Sequence, residues 1–222
     1  MPEAGGAATG RPVTGTRPRL YVDLDDVLCA TAELLIARLE AEHGRRVEIE
    51  SVRDFDLSVS FGLGREELAA FMGRAHTPEA LAAYPERAGA RAGMEAWRRA
   101  GYELWVVTGR PAASHAGTRQ WLTDSGLPWD ELVFVDKYRD YDRSNGAGDS
   151  AEVRPLRVEE LAGLGFRAAV EDSAEMAARL AGELGLRVLL LDRPWNRGLA
   201  AAPGKVERCR DWADLMARFP RP

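Results

Sequence analysis

Two groups of acidic residues stand out in this 222-residue sequence, Asp23-Leu24-Asp25-Asp26 near its beginning and Glu171-Asp172-Ser173 far downstream, with Thr108-Gly109-Arg110 and Asp136-Lys137 between them. If the carboxylates of Asp23, Asp25, Glu171 and Asp172 met on one rim, they would repel one another strongly unless a cation sat among them. Hard oxygen ligands of this kind suit Mg2+. A hydroxyl from Thr108 and an ammonium from Lys137 on the same rim would complete a site for a phosphate group. Singly, each residue has an ordinary structural use: aspartates cap helices and turns, Thr108 or Ser173 caps a helix, and a lysine usually sits in water. What points to chemistry is their order, each group directly following an apolar run.

Those runs, Leu20-Tyr21-Val22, Glu103–Val107, Leu132–Val135, Phe166–Val170 and Arg187–Leu191, read as five strands. Helical segments lie between them, at Ala32–His43, Gly93–Ala100, Pro111–Thr123 and Ala174–Leu184. Gly44, Gly101 and Gly185 are placed to end three of these helices in a left-handed cap. Short, continuously apolar strands alternating with helices predict an α/β fold, a Rossmann-like parallel sheet with helices on both faces. In such sheets ligands bind beyond the carboxyl ends of the strands, which is where the acidic and polar groups fall.

Residues 1–18 hold almost no large apolar side chains and predict a flexible tail. Residues 47–88 interrupt the rhythm with short helical patterns and no strand that fits the sheet. They predict a small helical cap inserted after the first strand and its helix, leaving 19–46 and 89–222 as the core. A polar stretch over 138–154 reads as an exposed loop. The net charge of −5, with no basic block, removes the footprint of a nucleic-acid polymer binder but leaves a small phosphorylated ligand open. No apolar run approaches the length of a membrane span and no signal-peptide pattern opens the sequence, so a cytoplasmic protein is expected. Cys29 and Cys209 form no metal or disulfide motif and read as small buried hydrophobes. His43, His76 and His115 read as surface residues, and Trp195-Asn196 as packing and a turn.

YVDLDDVL, WVVTGR, Lys137 and AAVEDS together resemble the four ordered motifs of the haloacid dehalogenase superfamily, over nearly the whole chain from Arg19 to Phe219. RDFDLS and LLLDRPWNRG look most like its 5′(3′)-deoxyribonucleotidase branch. The resemblance implies a Mg2+-dependent phosphomonoester hydrolase with Asp23 as nucleophile and Asp25 as the acid that protonates the leaving alcohol, then as the base toward water. It gives Thr108 and Gly109 to the phosphate and sets Lys137 between the two negative groups. Mg2+ would be held by the Asp23 carboxylate, the Asp25 carbonyl and Asp172, with Glu171 either joining them or bracing Lys137. Asp26 stands where the superfamily commonly has glycine. A sugar-phosphate mutase and a binding protein without turnover are the alternatives. The expected substrate is a small phosphorylated metabolite, with a nucleoside monophosphate preferred, because Phe55, Phe61, Phe71 and Tyr84 of the inserted lobe offer faces on which a base could stack. Arg53, Arg65, Arg74 and Arg87 are spread along that lobe rather than clustered for a polyphosphate.

Overall fold

The computed structural model describes residues 17–54, 57–137, 153–198 and 205–219. Seven strands form one sheet: β1 (Arg19–Asp23), β2 (Glu103–Thr108), β3 (Glu131–Asp136), β4 (Leu156–Arg157), β5 (Phe166–Glu171), β6 (Arg187–Leu191) and β7 (Val206–Cys209). Their order across the sheet is β4-β3-β2-β1-β5-β6-β7, and every neighbouring pair is parallel. The five apolar runs of the sequence are β1, β2, β3, β5 and β6. The two additional strands lie at the sheet's edges.

The helices are α1 (Thr31–His43), α2 (Leu57–Phe61), α3 (Arg65–Ala75), α4 (Pro78–Ala82), α5 (Ala90–Arg99), α6 (His115–Ser125), α7 (Ala174–Gly182) and α8 (Trp212–Arg218). Both sheet faces are covered, because alternate side chains of each strand enter different cores. Leu20, Val22, Leu104, Val106, Leu189 and Leu191 face one core, where Trp97 packs against Trp212 and Phe219. Tyr21, Val107, Ala169, Val188 and Leu190 face the other, against Met176 and Leu180 of α7. Gly44 ends α1 in the left-handed region (φ 66), as its position in the sequence predicts.

Between α1 and α5 no strand forms among the described residues, which contain α2, α3 and α4. This segment builds its own small core on α1, where Leu35 and Leu39 meet Phe61, Leu63, Leu68 and Phe71. It is also pinned to α6, and Gly117 permits the approach: a Cβ there would lie 2.9 Å from Leu81 Cδ1 and 3.2 Å from Pro78 Cα. The segment returns to the sheet along residues 28–30, with Ala30 N–H donating to the Pro85 carbonyl and Arg87 N–H to the Leu28 carbonyl, both at 2.8 Å.

Candidate active site

The sheet order places β1 between β2 and β5, so the chain leaves β1 toward one side of the sheet and later elements fill the other. The carboxyl ends of β1 and β5 are therefore the topological switch point of the sheet, the place where ligands bind in open α/β folds. Asp23 ends β1 and Glu171 ends β5. Lys137, the residue after β3, reaches across so that its Nζ lies 2.6 Å from both Asp23 Oδ1 and Glu171 Oε1. Tyr21 donates its hydroxyl to the same Glu171 oxygen at 2.7 Å, and the other Glu171 oxygen accepts the backbone N–H of Asp172 and of Ser173 at 3.1 Å each. Ser173 also caps α7 by accepting from Met176 N–H. All of these side chains are buried.

Asp25 lies two residues beyond Asp23, on the same side, and is partly exposed. Arg110 grips it from below, with Nη2 2.7 Å from Asp25 Oδ1 and Nε 3.0 Å from Oδ2. The Thr31 hydroxyl adds a 2.6 Å bond to Oδ1, and Thr108 Oγ1 sits 3.5 Å from Oδ2. Burial acts to raise the Asp25 carboxyl, but the charge and hydrogen bonds of Arg110 outweigh it and hold the group at about 2. Asp25 is thus a carboxylate here. Gly109, between Thr108 and Arg110, is half-buried at the same strand end.

No family model matches the chain. A protein named as a putative nucleotidase of Halalkalibacterium halodurans is 24% identical over 199 residues, which span 90% of this chain and 91% of that protein. A predicted phosphatase from Clostridium acetobutylicum superposes with a TM-score of 0.60 at 14% identity, covering 91% of this chain and 97% of its own. A haloacid dehalogenase-like hydrolase from Streptococcus pneumoniae does so with a TM-score of 0.58 at 13% identity, covering 92% and 99%. The chain has the haloacid dehalogenase-like fold.

At the carboxyl ends of β1 and β5, Asp23, Glu171 and Asp172 each present an oxygen, and the three oxygens lie within 4.8 Å of one another. Burial, followed by the Glu171 carboxylate, pushes both Asp23 and Asp172 well above the ordinary range. Three buried carboxylates around one ammonium leave an excess of negative charge that a divalent cation would offset, so this donor set fits Mg2+. Because both Glu171 oxygens are already engaged, Asp23 and Asp172 are better placed to hold it. Trp195 Nε1–H donates to Asp172 Oδ2 at 2.9 Å, and Asn196 Nδ2 ties the Asp172 carbonyl to that of Leu191 at 2.7 Å each. The reading of Trp195-Asn196 as packing and a turn therefore misses their hold on Asp172. Arg110 and Tyr21 stand in the strand-end group Thr108-Gly109-Arg110 and in the first strand, but the sequence assigns neither a role in the site.

The lobe aromatics correct an expectation. Phe61 and Phe71 are buried against each other and α1, while Tyr84 is buried beneath Arg110, whose guanidinium lies 5.0 Å from its ring. None of the three offers a face to a base; Phe55 lies outside the described residues, as does most of the 138–154 stretch. His43 and His115 pack edge-on against Phe71 and Phe134. All three histidines are half-buried and so depart from their surface reading; His76, at the end of α3, has its Nδ1 2.8 Å from the Met72 carbonyl. Cys29 and Cys209 are both buried and free.

Proposed function

We propose that the chain is a Mg2+-dependent phosphomonoester hydrolase that works through an aspartyl-phosphate on Asp23. The observation carrying this reading is the meeting of Asp23, Lys137, Glu171 and Asp172 at the carboxyl ends of β1 and β5, with Thr108 and Asp25 beside it. Asp23 attacks phosphorus in line while Lys137 offsets the charge of nucleophile and phosphoryl group as they approach. Thr108 and the backbone at Gly109 receive phosphoryl oxygens. Glu171, held by Tyr21 and two backbone amides, braces Lys137. Asp25 in its ionised form accepts a proton from the water that hydrolyses the phosphoenzyme; acting as acid toward the leaving alcohol in the first step requires the Arg110 pair to loosen when substrate arrives. Mg2+, held by Asp23 and Asp172, would neutralise phosphoryl oxygens in transfer.

Small phosphorylated metabolites are the substrate class, and nucleoside monophosphates are the preferred members. That preference is supported by the likeness, over most of both chains, to the protein named as a putative nucleotidase, not by base stacking in the lobe. The test is release of inorganic phosphate from a panel of nucleoside monophosphates, sugar phosphates and small phospho-acids. Release that EDTA abolishes and Mg2+ restores is expected. Isomerised substrate without free phosphate would make the chain a mutase, and no turnover of any ester would leave a binding protein. A small sugar phosphate outcompeting every nucleotide would remove the nucleotide preference alone.

Trp195→Phe removes one donor to Asp172 while keeping most of the packing. It should raise the Mg2+ concentration for half-maximal rate by roughly tenfold to a hundredfold, with the rate at saturating Mg2+ largely kept. An unchanged Mg2+ titration would mean that Asp172 does not hold the ion.

A further inference from the structure

Asp26 is the one non-glycine among the described residues with a positive φ, 57°, in the left-handed region that costs an ordinary side chain steric strain. It directly follows Asp25 at the point where the chain turns away from β1. Its polar atoms are gripped from three directions. The carboxylate accepts Ala32 N–H at the start of α1, at 3.1 and 3.2 Å. Arg87, on the return from the lobe, donates to the same carboxylate at 2.5 Å and pairs with Glu33 of α1 at 2.6 Å. Arg193, just past β6, donates to the Asp26 carbonyl at 2.7 Å and to the Asp192 carbonyl at 2.9 Å. Two residues after Arg193 begins the Trp195-Asn196 pair that holds Asp172.

Arg87 and Arg193 are like charges close enough to oppose one another, and each keeps a buried Nε–H without a partner. Such a pair is costly to assemble, and Asp26 is the residue both of them reach. A glycine would make the turn without strain but would offer no carboxylate to join these elements.

We propose that Asp26 is a positioning residue: locked in its left-handed turn by Arg193 and Arg87, it fixes Asp25 relative to Asp172 and ties both to the segment that returns from the lobe. This rests on the phosphohydrolase reading, because it assigns Asp26 a role in the geometry of that site. The side chain touches no reacting atom and acts through the backbone it holds.

The test compares D26A, D26N and R193M in the full-length chain. D26A, which disfavours the turn and removes the carboxylate, should lower kcat at least tenfold with KM changed less than threefold, and should weaken Mg2+ binding measured by calorimetry. D26N, which tolerates the left-handed region and still offers an acceptor, should return kcat to within threefold of wild type. The D26A/R193M double variant should lose little more than the worse single variant. Overturning results are a D26A variant that loses thermal stability while the folded protein keeps wild-type kcat, a D26N variant as impaired as D26A, or strictly multiplicative losses in the double variant. If the wild type releases no phosphate from any ester, the proposed function falls, and Mg2+ binding decides the positioning role: tenfold weaker in D26A but not D26N upholds it, while equal affinities, or a wild type that binds no Mg2+, overturn it.

Discussion

If Asp23 is the nucleophile of the proposed hydrolase, Asp23→Asn should abolish turnover while leaving the fold intact. The amide keeps the size of the side chain but cannot form the acyl phosphate, and loss of a nucleophile that acts as a unit with its neighbours lowers kcat by about a thousandfold or more. The fold should survive for a reason visible in the site. Lys137 keeps Glu171 as its partner at 2.6 Å, and the substitution removes one of three mutually repelling buried carboxylates. Unfolding in EDTA should show equal or higher stability than wild type. A well-folded variant retaining more than a few per cent of the wild-type rate would assign the nucleophile to another residue.

Lys137→Met reverses that balance and gives the second large effect, on stability and activity together. The side chains of Lys137, Asp23 and Glu171 are 3%, 5% and 0% exposed, so removing the ammonium strands two carboxylates away from water. Breaking a buried ion pair from one side costs about 3–5 kcal/mol. In the proposed site Mg2+ held by Asp23 and Asp172 would offset part of the stranded charge, so urea unfolding should show the full loss in EDTA and a smaller one in Mg2+. Equal losses in both conditions would mean that no cation is held. The hydrolytic rate should fall by roughly a hundredfold to a thousandfold, because a fixed positive charge at the developing transition state is lost.

Much of this architecture is legible in the residues alone, for a local reason. A strand buried on both faces has to be apolar along its length, so β1, β2, β3, β5 and β6 announce themselves, and Gly44 marks the end of α1. The strands that escape notice are edge strands. β4 has two residues, and β7 reads Val206-Glu207-Arg208-Cys209, with its two middle residues only partly buried, so neither shows a continuous apolar run. Helix α8 escapes notice in the same way; its seven residues bury only Trp212 and Leu215 deeply.

The candidate site divides along the same line. Asp23, Asp25, Thr108, Lys137, Glu171 and Asp172 are found from the sequence because each follows an apolar run, and a parallel sheet carries all such positions to one rim whatever the details of packing. What each of them does there depends on side chains from distant elements, and no spacing encodes those meetings. Arg110 fixes Asp25 as a carboxylate, Tyr21 and two backbone amides engage Glu171 beside Lys137, and Trp195 orients Asp172. The lobe aromatics fail as a stacking surface for the same reason: a hydrophobic ring in a short helix reads alike whether it faces a ligand or a neighbour, and only the packing of Phe61 and Phe71 onto α1 decides between them. The sequence by itself determined the sheet and the rim on which its polar residues gather. Tertiary structure decided the partners, and with them how far Asp23, Asp25 and Asp172 are moved from their ordinary ionisation, because burial and nearby charges belong to the assembled fold and not to any stretch of chain.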